Sequence, residues 1–89
     1  MAKETYKRIV NHYGKNSQKL KAIEELTELE ELIIKDVNGK EVYQKAIQEE
    51  IADVFVMLNQ LLLIYGISDS AIDAEVNRKL KRTIERMMA

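Results

Sequence analysis

Residues 42–65, VYQKAIQEEIADVFVMLNQLLLIY, read as one long helix with two carboxylates set into its apolar face. At the helical advance of about 100° per residue, Tyr43, Ala46, Ile47, Val54, Met57, Leu61 and Ile64 share a single stripe, and Glu50 and Asp53 lie inside it. Glu49 points away, on the side of Gln60, and reads as an ordinary solvated glutamate. Burying an unpaired carboxylate costs several kcal/mol or raises its pKa until it is neutral. A cationic partner is therefore expected against Glu50 and Asp53. The half from Val54 to Tyr65 is apolar nearly all round, which a helix packed on one side only would not tolerate. This helix is expected to be buried from several directions.

The 89 residues suffice for one domain, residues 1–89. Chains of this size bury a modest fraction of their surface, so a partner chain is expected to complete the core. Proline is absent, and the three glycines, Gly14, Gly39 and Gly66, divide the chain into four helix-length pieces. The expected fold is all-α: four helices, forming a helical bundle completed by homo-oligomerisation. Without cysteine there is neither a disulfide framework nor a thiolate metal site, which suits a reducing compartment and makes the cytoplasm the expected location. No secretory signal pattern is present, and the longest apolar run is too short and interrupted to span a bilayer, so no membrane role is expected. Fourteen basic and fifteen acidic side chains leave the chain near neutral. That balance argues against nucleic acid as a partner unless a local basic patch supplies the field.

A first helix is expected from Ala2 to Tyr13, with Tyr6, Ile9, Val10 and Tyr13 at helical spacing and Gly14 closing it. His12, the only histidine, reads as a partly exposed helix-terminal residue. Asn16 or Ser17 offers an N-cap for a second helix running to Val37, ended by Asn38-Gly39. Along it Glu25, Glu28, Leu29 and Leu32 occupy i, i+3, i+4 and i+7, a stripe that would ordinarily be apolar throughout. Gln18 and Lys21 precede Glu25 on much the same face, placing an amide and a cation beside the carboxylates as candidate ligand contacts. After Gly66, Ser68-Asp69-Ser70 offers N-caps, with Ser70 to Asp73 close to a capping box. The last helix carries Ile72, Val76, Leu80, Ile84 and Met87 on its apolar side and Lys79, Arg82 and Arg86 along the margin. That basic stripe suits phosphate binding. The short joints around the glycines predict antiparallel packing of successive helices.

An i, i+3 carboxylate pair points both groups in nearly one direction, so two such helices packed face to face gather Glu25, Glu28, Glu50 and Asp53 around one pocket. Four negative charges demand cations. Magnesium, with manganese as the alternative, suits all-oxygen ligands completed by substrate phosphates, whereas calcium sites usually recruit loop carbonyls. The di-iron and di-manganese bundles expect Glu-x-x-His pairs, and His12 follows no glutamate at that spacing. A metal-loaded carboxylate pocket with a basic stripe suits hydrolytic phosphoryl or nucleotidyl chemistry. Glycine-rich phosphate loops, cysteine nucleophiles and serine triads are missing.

At Glu24-Glu25-Leu26-Thr27-Glu28-Leu29 and Glu49-Glu50-Ile51-Ala52-Asp53-Val54, the chain resembles the MazG-like all-alpha nucleoside triphosphate pyrophosphohydrolases. The signature of that family is Glu-Glu-x-x-Glu followed, after a variable spacer, by Glu-x-x-Asp. The lead-in from Gly14 to Gln18 and the segment Lys79-Leu80-Lys81-Arg82 also look like what flanks the motif in small single-domain members, phage proteins among them. The match covers most of the chain. The resemblance implies that Glu25, Glu28, Glu50 and Asp53 hold magnesium and carry catalysis. The triphosphate substrate would be cut between its alpha and beta phosphates, giving a nucleoside monophosphate and pyrophosphate. It further implies that Lys79 and Arg82 bind phosphate, and that the protein is a homodimer or homotetramer with a four-helix core shared between chains. Gln18 and Lys21 join the substrate-binding set on geometry alone.

Two other readings follow from the same sequence. One is a non-catalytic helical oligomer that binds nucleotide or a protein partner, recognised by absent metal binding despite intact carboxylates. The other is a DNA-binding role resting on Arg78 to Arg86, opposed by the slightly negative net charge and the lack of helix-turn-helix spacing.

Overall fold

In the computed structural model, which describes residues 2–89, four helices follow one another: α1 (Ala2–Tyr13), α2 (Lys15–Val37), α3 (Gln44–Ile64) and α4 (Asp69–Met87), with no strand among the described residues. The glycines set the joints. Gly14 has φ 94°, a conformation that side chains with a Cβ rarely adopt, and it serves both as the end of α1 and as the N-cap of α2. The second helix therefore starts at Lys15, ahead of the Asn16 or Ser17 cap expected from sequence. Gly66, at φ 67°, closes α3 in a Schellman motif: the Ile67 N–H donates to the Leu62 carbonyl at 2.8 Å and the Gly66 N–H to that of Leu63 at 3.2 Å. Asn38-Gly39 ends α2 in the same way, with Lys40 N–H bonded to Lys35 O at 3.0 Å. The N-cap of α4 is Ser68, whose Oγ accepts from the Ala71 N–H at 3.1 Å, in place of the expected Ser70–Asp73 box.

The packed unit consists of α1, α2 and α3. Val10, Ala22, Val54 and Met57 are its buried apolar residues, and Ala46, Ile47, Leu61 and Ile64 of the predicted stripe are half-buried. Tyr43 is exposed, ahead of the first turn of α3. The order of cross-helix contacts runs in opposite senses along α2 and α3. Lys19 lies over the Tyr65 ring at 4.8 Å, Gln18 meets Gln60, and Glu25 meets Glu50. The two long helices are thus antiparallel, as their short connection predicts.

Successive antiparallel packing stops at α4. It leaves α3 through a 117° bend, far short of a hairpin reversal, and buries no residue. Val76, Leu80 (59% exposed) and Ile84 face solvent. The expected all-round burial of α3 is also unmet within one chain, since Ile51, Phe55 (61% exposed) and Leu58 form an open stripe opposite the core. The dimensions agree. The radius of gyration is 15.9 Å, against about 12 Å for a compact chain of this length. The accessible surface is 7246 Å², against roughly 5400 Å² for a folded monomer of the same mass. No single helix among the described residues is long and apolar enough to cross a membrane.

Met57 is 5% exposed, at the junction of α2 and α3. Met57→Ala is expected to lower the unfolding free energy by about 2–5 kcal/mol. Val37→Ala, at an exposed position near the end of α2, is expected to change it by no more than about 0.5 kcal/mol. Urea denaturation at one fixed protein concentration measures both.

Candidate functional site

The α2–α3 interface carries its polar residues in two layers. In α2 the facing positions are Gln18, Lys21, Ala22, Glu25 and Glu28; in α3 they are Glu50, Asp53, Val54, Met57 and Gln60. Three-four spacing puts each set on one side of its helix, and antiparallel pairing sets carboxylates against carboxylates and amide against amide.

In the carboxylate layer, Glu25, Glu50 and Asp53 each offer one oxygen, all within 4.8 Å of one another; Glu24, Glu25 and Glu28 form an overlapping group of the same size. Of the four acids singled out in the sequence, Glu25, Glu50 and Asp53 therefore come together, while Glu28 groups with Glu24 and Glu25. Glu25 is the hinge between the two groups, with Glu28 adjoining at the half-buried margin. Asp53 departs from expectation: it is exposed, at the edge of the α2–α3 contact, where it borders a cleft of about 310 Å³ lined also by Lys21, Glu25, Val56 and Met57. Glu25 and Glu50 are buried, and no donor among the described residues reaches Glu25 Oε2 or Glu50 Oε2.

Among the described residues no basic side chain pairs with Glu50; the neighbouring carboxylates and burial instead favour its protonated form. Lys21 pairs with Glu25 at 3.3 Å and Glu24 at 3.7 Å, one helical turn away on its own helix. The Glu25 carboxylate, then burial, then Glu28 push Glu50 up to about 8. Glu25 moves the opposite way, below the usual carboxylate range, because it accepts from the Glu50 carboxyl and because Lys21 neutralises it. Lys21 itself is raised, chiefly by its hydrogen bond to Glu25 and by the charge of Glu24. Two carboxyls at such short range cannot both ionise in a site sheltered from water. The surrounding carboxylates and burial therefore hold Glu50 toward its protonated form, and Glu25 is held toward its ionised one. Three clustered oxygen ligands with two unsatisfied buried atoms are suited to a hard divalent cation, which would take the place of the Glu50 proton.

No family model, curated protein or solved structure matches this chain.

Gln18 lies in the second layer, buried, with its Nε2 donating to Gln60 Oε1 at 2.7 Å. Gln60 was expected on the solvated side with Glu49. Instead it is 1% exposed, because α1 as well as α2 packs on the C-terminal half of α3, while Glu49 near the other end stays in water. The signal for it was present, since Gln60 continues the line of Asp53 and Met57 at i+7 and i+3. The structure does not bring Lys79 and Arg82 to the carboxylates. They are exposed on α4 and bear on Glu75, which is lowered mainly by its 2.8 Å ion pair with Arg78.

A pH dependence of the metal-free protein follows. Glu50 holds its proton in the native state up to about pH 8, whereas the unfolded chain releases it near the ordinary glutamate value. Its contribution is therefore fully present below the unfolded pKa and is lost as pH rises toward 8. Glu25, shifted down, has the opposite sign and costs stability only as pH falls below the usual carboxylate range. Thermal unfolding in the presence of a chelator is expected to show a midpoint that falls between pH 5 and pH 8. Glu50→Gln, which keeps the donor and loses the titration, should flatten that slope.

Proposed function

We propose that this protein is a magnesium-dependent nucleoside triphosphate pyrophosphohydrolase of the MazG-like type, working as a homo-oligomer in the cytoplasm. The observation that carries the proposal is the convergence of Glu25, Glu50 and Asp53 oxygens within 4.8 Å, with Glu28 adjoining and two buried oxygens left without donors. An interface of apolar residues would be more stable than this one, so the carboxylates call for a ligand. Glu25, Glu28, Glu50 and Asp53 would hold magnesium, or manganese in its stead. The bound ion would polarise the phosphate and lower the pKa of the attacking water.

The chain's own residues supply the rest. Glu50 yields its proton to become a ligand. Lys21, half-exposed at the mouth of the cleft and already charged, stands where a phosphate oxygen would replace Glu24 as its partner. Water adds to phosphorus and the bridging oxygen departs with pyrophosphate, leaving a nucleoside monophosphate. The oligomer accounts for the open stripe of Ile51, Phe55 and Leu58, the uncovered face of α4 and the surplus surface. Association would also offer Lys79 and Arg82 a route to phosphates that they lack within one chain.

The direct test is pyrophosphate release from a panel of ribo- and deoxyribonucleoside triphosphates, with magnesium and with chelator. Metal-dependent release that Glu50→Gln abolishes is expected. Silence from folded, oligomeric protein with every triphosphate would instead favour the non-catalytic helical accessory. Binding has its own readout: titrating magnesium into weakly buffered protein at pH 7 should release close to one proton per site, and none from Glu50→Gln.

A further inference from the structure

The amide layer of the α2–α3 interface is buried beside the carboxylate layer and uses only part of its hydrogen-bonding capacity within the protein. Gln18 is 6% exposed and Gln60 1%. Their single strong bond runs from Gln18 Nε2 to Gln60 Oε1 at 2.7 Å. Gln60 Nε2 reaches only the Met57 sulfur, at 3.7 Å, a weak acceptor. No partner among the described residues meets the Gln18 carbonyl oxygen or its second N–H. None of the atoms of these two amides is both fully buried and without a partner, so the capacity that the protein leaves unused is open to a solvent molecule or a ligand.

The unmet atoms border a groove. It encloses about 580 Å³, within the range of small-molecule sites. Ile9, Tyr13 and Ser17 line it together with Gln18, Lys21 and Gln60. The groove abuts the carboxylate cleft, for Lys21, Val56 and Met57 belong to the walls of both. Gln18 precedes Glu25 by seven residues and Gln60 follows Asp53 by seven, so amide and carboxylate ends of this trench lie about 10 Å apart along the helices. Its polarity runs from a flat hydrogen-bonding end with apolar walls to a cation-binding end. A nucleotide has the same polarity, with its base at one end and its phosphates at the other.

We infer that the Gln18–Gln60 pair is the nucleobase-reading element of this site, with Gln18 contacting the base edge and Gln60 holding the Gln18 amide in one orientation. The inference rests on the nucleotide reading of the carboxylate end. A carboxamide presents one donor and one acceptor in a plane, the pattern that matches a base edge bidentately. Held by Gln60, it offers them in a fixed order. Adenine and cytosine present an amino donor beside a ring-nitrogen acceptor; guanine and uracil present a carbonyl acceptor beside a ring N–H. A fixed amide fits one class and opposes the other. Gln60 is a positioning residue, and Tyr13 and Ile9 supply apolar wall.

The test is an NMR titration of the full chain with AMP, CMP, GMP and UMP, following the side-chain amide resonances of Gln18 and Gln60, with triphosphate hydrolysis assayed in parallel. Wild type is expected to favour one edge class over the other by about tenfold or more, with both amide resonances shifting. Gln18→Leu, an apolar replacement expected to fold at least as stably, should abolish the preference. Gln60→Met should reduce it while leaving Gln18 in contact, whereas Gln60→Glu, which keeps the acceptor for Gln18 Nε2, should retain it. Equal affinity for all four in wild type, no binding of any of them, or a preference unchanged in Gln18→Leu would overturn the inference. The two readings fail separately. Base-selective binding without hydrolysis would sink the catalytic reading and keep this one, and hydrolysis indifferent to both base and Gln18→Leu would do the reverse.

Discussion

Glu25 and Glu50 face each other across two antiparallel helices, the one pushed down and the other up by their contact, and among the described residues one oxygen of each has no donor. Every other feature of the α2–α3 interface is arranged around that contact. Lys21 neutralises the ionised member from its own helix. Glu28 adjoins on one side and Asp53 opens the cluster to solvent on the other. A two-helix interface sealed with Leu and Ile at those positions would be drier and more stable. Natural chains keep such costly arrangements mainly at sites that do chemistry or bind.

The amide layer extends the same logic by two turns. Because both layers are polar and both pair across the interface, they fix the register of α2 against α3 more sharply than apolar side chains would. A slip of one helical turn would set Gln60 against Lys21 or carboxylates against Ala22, and no apolar repacking would repair it. The register that places the acids within reach of one cation therefore also places the two glutamines within reach of each other.

What could be read from the sequence follows this division between local and long-range causes. Glycine caps depend on a few neighbouring residues, so the ends marked by Gly14, Gly39 and Gly66 were legible. So was the placing of Glu25 with Glu28 and of Glu50 with Asp53, each pair on one face of its helix by i, i+3 spacing, from which Glu25, Glu50 and Asp53 come together. The exposure of Asp53 was not legible, because it depends on how the neighbouring helices cover α3, whereas the burial of Gln60 had a signal in its spacing from Asp53 and Met57. The upward shift of Glu50 was hidden for a related reason: it is set by the distance to Glu25, which only the packed structure contains. The course of α4 was hidden too. A Schellman end at Gly66 stops a helix without dictating the direction in which the next one departs.

That departing helix has a thermodynamic consequence. Most helices in proteins are held by the tertiary contacts of their apolar face, and an isolated segment of this length is marginal in water. With nothing of α4 buried within its own chain, its helical order there rests on local terms, the Ser68 cap, worth about 1 kcal/mol, and the exposed Glu75–Arg78 pair, worth less. Such a segment opens at a smaller free-energy cost than the packed helices α1 to α3. Amide hydrogen exchange along this chain should therefore be graded, fastest in its last helix.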